Sequence, residues 1–191
     1  MPPHQARAAD HLQYIRDTME RAGSFTAVSG WGQALVGTIG LAAAALAMRV
    51  VEPALWLTIW LGVAVAGATI AAVAISRKAN RLGIPMFSRP ARRFALAFAT
   101  PLAAGAVLTA VFYRDGLIQH LPGMWLLLFG TAVVSGGAMS VRLVPTMGFC
   151  FMAVAIAAVL VPAAWGDLLM GVGFGGLNIV FGVLIAVKHG G

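Results

Sequence analysis

The stretch "ALWLTIWLGVAVAGATIAAVAI", residues 54–75, decides the fold class because it carries no charged residue along its whole length. At a rise of about 1.5 Å per residue, a helix of about 20 residues crosses a hydrocarbon core about 30 Å thick. Inside that core the backbone must satisfy its own hydrogen bonds, so the stretch is predicted to be a transmembrane helix. It lacks the alternation of polar and apolar residues that a membrane β-barrel requires.

Five similar runs surround this stretch in the chain. Of the 191 residues, 60% are hydrophobic and 10% are charged, whereas an average soluble domain is about 25% charged. The sequence therefore predicts an all-α integral membrane protein without a soluble domain. The six predicted spans cover approximately residues 28–48, 54–75, 94–113, 122–140, 145–164 and 167–187. Residues 1–27 precede the transmembrane domain of residues 28–187, and residues 76–93 form a basic loop within it.

The distribution of lysine and arginine predicts the orientation of the spans. One side of the predicted topology carries 11 basic residues: Arg7, Arg16, Arg21, Arg77, Lys78, Arg81, Arg89, Arg92, Arg93, Arg142 and Lys188. The other side carries only Arg49 and Arg114. Because loops rich in lysine and arginine stay in the cytoplasm, both termini are predicted to be cytoplasmic. This topology also accounts for most of the net charge of +7, so nucleic acid is not an expected partner.

The six spans divide into three tandem hairpins that share a weak pattern of small residues. The segments "WLGVAVAGAT" (60–69), "LFGTAVVSGG" (128–137) and "LMGVGFGGLN" (169–178) each have glycine in third place and a small residue five positions later. Each hairpin also has one acid near its outer turn: Glu52, Asp115 and Asp167. The acids could attract cations to the mouth of a central pathway. Alternatively, the small residues let helices approach closely and the acids are solvated or favour helix N-termini.

Two resemblances accompany these patterns. The glycine-rich hairpins resemble the acid-resistance membrane protein family HdeD, whose members also consist of three tandem helical hairpins. The charged N-terminal segment and the long basic loop depart from that family. The stretch "YIRDTMERAGSFTAVSGWG" (14–32) more closely resembles the start of a group of small six-span bacterial inner-membrane proteins without an assigned activity. That resemblance implies the inner membrane of a bacterium and supplies no site residues.

Residues 10–22 are predicted to form an amphipathic cytoplasmic helix at the membrane surface. Its apolar stripe consists of Leu12, Ile15, Met19 and Ala22, which follow helical spacing. Its polar face contains the opposite-charge pairs Arg16–Glu20 and Asp17–Arg21, and the local charge is zero. A lipid anchor would normally be basic. The helix is therefore expected to dock on the protein's own cytoplasmic side or to bind a partner helix.

The basic loop is the candidate lipid-headgroup site. Its six basic residues are Arg77, Lys78, Arg81, Arg89, Arg92 and Arg93, and it contains no acid. Such clusters attract anionic headgroups by about 1 kcal/mol per residue. Topogenesis alone also accounts for them.

Side chains for catalysis, metal binding or cofactor binding are not expected in the spans. All four histidines lie outside them, and no mid-span carboxylate is present. The single cysteine, Cys150, lies in an apolar run, where inert packing is expected. The sequence therefore predicts a protein that is not an enzyme and that has no metal and no cofactor.

The uncharged polar residues Gln33, Ser135 and Asn178 are the candidates for a substrate pathway. An amide inside a membrane needs a partner, so an interhelical hydrogen bond is the alternative role for Asn178. Two functions follow. The first is a passive transporter or channel for a small solute or ion, acting as a homo-oligomer. The second is a non-transporting accessory or stress-related protein that binds a partner or lipid through its N-terminal helix and basic loop.

Some boundary residues also carry predictions. Trp31, Trp56, Trp125 and Trp165 lie near span ends and are expected to be interfacial anchors. Pro101 falls inside span three, where it predicts either a kink near Ala97 or a later helix start.

Overall fold

The computed structural model describes residues 29–81, 89–138 and 140–189. Within these ranges, six helical segments are long and apolar enough to cross a membrane, so the all-α six-span fold is confirmed. The first five spans are α1 (Gly30–Ala47), α2 (Pro53–Arg81), α3 (Arg89–Arg114), α4 (Leu121–Gly137) and α5 (Leu143–Leu160). Span six combines α6 (Gly166–Met170), a π-helix (Gly171–Leu177) and α7 (Asn178–His189). The predicted helix of residues 10–22 lies outside the described residues.

The helices alternate in direction between two boundaries of the bundle. We call the boundary that carries Ser29, Arg77 and Lys188 the basic end, and the boundary that carries Glu52, Asp115 and Asp167 the acidic end. Short 3-10 turns at Ile118–His120 and Ala163–Trp165 lead into α4 and α6 at the acidic end. At 29 residues, α2 has a length of about 43 Å, which exceeds the hydrocarbon thickness of about 30 Å.

Helix α3 runs through Pro101 without a break. The prediction of a later helix start is therefore wrong, because the helix already begins at Arg89. Proline removes one backbone donor from such a helix. The neighbouring Thr100 hydroxyl donates to the carbonyl of Leu96 at 2.7 Å.

Spans one and six form one of the two closest helix pairs. The buried small residues of α1 follow helical spacing along one face: Gly30, Gly37, Gly40, Ala43, Ala44 and Ala47. A Cβ atom on Gly37 would lie 2.7 Å from the carbonyl oxygen of Gly175, and one on Gly182 would lie 2.6 Å from the amide nitrogen of Ala34. The two backbones are therefore in direct contact, which only glycine at these positions permits.

Spans four and five form the other close pair. A Cβ atom on Gly130 would lie 2.8 Å from the carbonyl oxygen of Gly148, and one on Gly148 would lie 2.7 Å from the carbonyl oxygen of Gly130. Helix α3 packs on α4, and α2 packs on α1. Span six contacts both α4 and α5 and so links the two pairs.

The pairing differs from three separate hairpins. Spans one and two pack together, as do spans three and four, but span six packs more extensively on span one than on span five. The positions of the glycine pattern also differ in environment, since a Cβ on Gly62 or Gly176 would meet nothing within 4 Å whereas Gly130 is closely packed. The shared pattern therefore does not correspond to a shared packing role.

Spans two and three lie at the periphery of the bundle. Only 6% of the apolar window of α2 and 11% of that of α3 are buried, compared with 44% for span six. In the described part of the chain, the backbones of α2 and α3 barely approach each other. Both helices therefore present long apolar faces outward, as lipid-facing helices do.

Candidate functional site

The two amides of the spans, Gln33 and Asn178, bind each other inside the pair of spans one and six. The Nε2 group of Gln33 donates to Oδ1 of Asn178 at 2.9 Å. The Nδ2 group of Asn178 donates to the carbonyl oxygen of Phe174 at 2.8 Å. Asn178 is only 2% exposed. The sequence identified both amides, and the contact between their helices brings them together.

A third span completes the surroundings of this amide pair. The Nε2 group of Gln33 also lies 3.3 Å from the sulfur of Met147 on α5. Met147 is fully buried, as is its neighbour Phe151 one turn further along α5. The amide pair is therefore flanked by helices α1, α5 and α7, and the Gln33 Nε2, Asn178 Oδ1 and Asn178 Nδ2 groups have protein partners, while Gln33 as a whole is half-buried.

The remaining pathway candidate, Ser135, lies half-buried on α4. No hydrogen bond in the described part of the chain joins it to Gln33 or Asn178. A half-open groove of about 330 Å³ lies at the acidic end between the start of α4 and the end of α5. Its lining includes Gln119, His120, Met124 and Val159, but neither of the two amides.

At the acidic end, the carboxylate of Asp167 holds two indoles of α2. The Trp56 Nε1 group donates to Oδ1 of Asp167 at 2.8 Å, and the Trp60 Nε1 group points to the same oxygen at 3.4 Å. Trp56 also stacks on Trp125 of α4, with ring centroids 5.6 Å apart. Asp167 lies in the first turn of α6, where the helix dipole stabilises a negative charge. These contacts join spans two, four and six.

The three acids of the acidic end have different partners. Asp115 forms a 2.9 Å ion pair with the adjacent Arg114. Glu52 is exposed, and its backbone carbonyl accepts a hydrogen bond from the Trp56 amide. Among the described residues, no hydrogen bond or ion pair joins any two of these acids, and no group of three metal-ligating side chains occurs. Their role at the mouth of a pathway stays a prediction.

Part of the candidate headgroup site lies on described helices. The side chains of Arg77, Arg92 and Arg93 are exposed at the basic end. Those of Lys78, Arg81 and Arg89 lie outside the described part of the chain. The first turn of α3 carries basic residues and no acid, which opposes the helix dipole. An anion at this position would offset that charge.

Two features of these sites were not predicted from the sequence. Met147 gave no signal, because an apolar residue in an apolar run has no visible polar role. Trp56 was predicted to be an interfacial anchor but is 9% exposed and faces the bundle. Trp60, which is 3% exposed, faces the bundle as well. Trp56 and Trp60 are four residues apart, about one turn of α2, and this spacing is the sequence signal that places both indoles on one helix face.

Comparison with known proteins adds no relative: no protein-family model, no curated protein and no solved structure matches this chain. The resemblances to HdeD and to small six-span bacterial membrane proteins therefore stay predictions. The amide pair, the Asp167–tryptophan contacts and the exposed arginines carry the functional inference.

The amide pair predicts non-additive effects of mutation. Gln33→Leu and Asn178→Leu are each expected to lower the free energy of unfolding by about 1–3 kcal/mol, because each leaves the other amide, buried Asn178 or half-buried Gln33, without its partner. The double variant is expected to lose less than the sum, with a coupling of about 0.6–1.7 kcal/mol. Unfolding with SDS in mixed micelles measures the stability of the wild-type protein, both single variants and the double variant, which together form a double-mutant cycle. The control is a second cycle with Ser135→Ala and Gln33→Leu, in which the two losses of stability are expected to add. An equal coupling energy in the two cycles would contradict the pairing of Gln33 with Asn178.

Proposed function

We propose that this protein is a non-transporting accessory protein of a bacterial cytoplasmic membrane that binds anionic lipid at its basic end. The observation that carries the first part is the hydrogen bond between Gln33 and Asn178. A pathway lined by Gln33 and Asn178 needs their polar groups to face a solute. Here the Gln33 Nε2 group binds Asn178 and the Met147 sulfur, and the Asn178 Nδ2 group binds the Phe174 carbonyl. This arrangement supports a structural role for both amides and favours an accessory function over transport.

The charges at the basic end support the second part of the proposal. Arg77 lies at the end of the apolar window of α2, and Arg92 and Arg93 lie in the first two turns of α3. All three side chains are exposed. The positive-inside rule places this end in the cytoplasm, next to the leaflet with anionic headgroups. The predicted helix of residues 10–22 would lie at the same surface and supply a second contact.

Flux measurements in proteoliposomes test the non-transporting role. We expect wild-type protein and Asn178→Leu to release glycerol, urea, potassium and protons no faster than empty vesicles do, because the wild-type Asn178 side chain binds Gln33 and Phe174 and the variant replaces it with an apolar one. Solute release is followed by light scattering, and ion release by fluorescent reporters. Flux through wild-type protein that is lost in a folded Asn178→Leu variant would contradict the proposal and restore the transport function.

The same vesicles test lipid binding when they contain equal parts of phosphatidylglycerol and phosphatidylcholine. Mass spectrometry of the lipids retained by the protein is expected to show enrichment of phosphatidylglycerol. Replacement of Arg77, Arg92 and Arg93 by glutamine is expected to weaken this enrichment by up to about fivefold per residue, since each contributes about 1 kcal/mol. Arg49→Gln with Arg114→Gln, at the acidic end, is the matched control. An equal loss in the control would refute a specific site at the basic end.

A further inference from the structure

Helices α2 and α3 are joined near the acidic end through one side chain, Trp125 of α4. The Trp125 ring stacks on Trp56 of α2, with ring centroids 5.6 Å apart. Its Nε1 group donates to the hydroxyl of Thr109 on α3 at 2.8 Å. At this level, the width of a single indole separates the two helices.

Farther from the acidic end, two aromatic rings lie between the same helices. Trp60 of α2 contacts Phe174 of span six, with ring centroids 6.2 Å apart. The Phe174 ring lies 5.1 Å from Phe129 of α4, and the Phe129 ring lies 6.0 Å from Phe98 of α3. The gap between α2 and α3 is therefore wider here than at Trp125.

Towards the basic end, α2 and α3 pack on different partners. A Cβ atom on Gly67 of α2 would lie 3.3 Å from the Val36 side chain of α1, and one on Gly136 of α4 would lie 3.2 Å from the Phe98 Cβ of α3. Within the described residues, the backbones of α2 and α3 form no close pair. The gap is therefore a wedge that is narrow at the acidic end and opens towards the basic end. We call it the α2–α3 cleft.

The exposure of Phe174 indicates that the cleft reaches the interior of the bundle. Val172 and Val180 mark the outer face of span six, at 44% and 54% exposure. Phe174 points the other way, and its ring contacts aromatic rings of α2, α4 and α5. Its backbone lies against Gly40 of α1. Phe174 is nevertheless only half-buried, so its exposed part faces the cleft.

We propose that the α2–α3 cleft binds an acyl chain of an anionic phospholipid whose headgroup lies at the basic end. The two helices that form its walls carry exposed arginines there, Arg77 on α2 and Arg92 and Arg93 on α3. Phe98 follows Arg92 by six residues, or about 9 Å along the helix. This distance is shorter than half of a hydrocarbon core about 30 Å thick. A chain whose phosphate binds these arginines therefore reaches the aromatic rings.

Charge favours a lipid over a second copy of the chain as the occupant of the cleft. A second copy in the same membrane would have the same orientation and would bring its own basic end to these arginines. Like charges placed opposite each other at an interface are costly. An anionic lipid matches the arginines with its phosphate and the half-buried rings with its chain. This inference rests on the proposed binding of anionic lipid and adds the place of the acyl chain.

Photolabelling of the full chain in vesicles tests the cleft. The probes are phosphatidylglycerol and phosphatidylcholine with the same diazirine-bearing chain, and mass spectrometry locates the labelled residues. Phe98 and Phe174 are expected to be labelled about fivefold more by the phosphatidylglycerol probe, the effect of one basic contact at a membrane surface. Phe149 is the matched control, because it is 60% exposed and lies six residues after the start of α5 at the basic end. The two probes are expected to label it equally.

The outcomes separate this inference from the proposed function. If Phe149 is labelled but Phe98 and Phe174 are not, the cleft holds no lipid chain and the inference is overturned. The measurement of retained phosphatidylglycerol decides the proposed function independently. Equal labelling of Phe98 and Phe174 by the two probes would overturn the anionic character of the lipid in the cleft.

A cysteine at the cleft tests for a second copy of the chain. Phe98→Cys is combined with Cys150→Ala, which removes the single native cysteine, and the vesicles are treated with a mild oxidant. The variant is expected to stay monomeric on a non-reducing gel, because lipid occupies the cleft. A disulfide-linked dimer would show that a second copy covers the cleft and would overturn the proposal.

Discussion

Gly182→Ala is expected to lower the free energy of unfolding by about 3 kcal/mol, at the upper end of the usual cost of overpacking. The added methyl group would lie 2.6 Å from the amide nitrogen of Ala34 and 2.8 Å from the carbonyl oxygen of Gly30. Both are backbone atoms of α1, so neither can move aside as a flexible side chain could. Spans one and six would have to separate along their length. Unfolding with SDS in mixed micelles measures the loss.

Gly62→Ala is the matched control for this variant. The substitution is chemically identical and also lies inside a transmembrane helix, but nothing occupies the space within 4 Å of the added atom. In a helix interior, alanine is more favourable than glycine by up to about 1 kcal/mol. We therefore expect unchanged or slightly higher stability for Gly62→Ala. Similar losses in the two variants would show that close backbone contact does not hold spans one and six together.

Asp167→Leu is expected to destabilise the protein by a similar amount, about 3 kcal/mol. The change removes the acceptor of two indole N–H groups, and a buried donor without a partner costs about 1–3 kcal/mol. The Trp56 bond at 2.8 Å accounts for most of the effect, since the Trp60 contact is long at 3.4 Å. Asp167→Asn retains an oxygen acceptor and is expected to lose less than half as much. Thermal unfolding, followed by tryptophan fluorescence, measures both variants.

Asp115→Leu is the comparison for the acidic end. Asp115 pairs with Arg114 at the surface, and exposed ion pairs contribute about 1 kcal/mol or less. The same change of residue type should therefore have a small effect at position 115 and a large effect at position 167. Equal effects at the two positions would mean that the tryptophan contacts do not stabilise the bundle.

The helices and their membrane character follow directly from the sequence, because each span is a long apolar run whose backbone has no alternative to a helix. The pairing of spans one and six does not, since small residues occur in every span and become informative only opposite a partner. The sequence indicated that Gln33 and Asn178 need partners, but their pairing depends on that same helix contact.

The remaining differences have local causes. The π-helix leaves no signature beyond its glycines, and the close contacts of those glycines with α1 exist only in the folded bundle. Trp56 resembled an interfacial anchor because its position near a span end is visible in the sequence. The carboxylate that draws it inward lies more than a hundred residues later, at Asp167. Long-range partners of this kind cannot be read from spacing.

The close contact between spans one and six also has a consequence for biosynthesis. A ribosome adds residues one at a time, so the glycine face of α1 enters the membrane well before Gly175 and Gly182 have been synthesised. Contacts between residues so distant in sequence form late and favour slow folding. Until span six is synthesised, the glycine face of α1 therefore lacks its partner. During this time insertion factors, lipids or a neighbouring nascent chain can bind to that face.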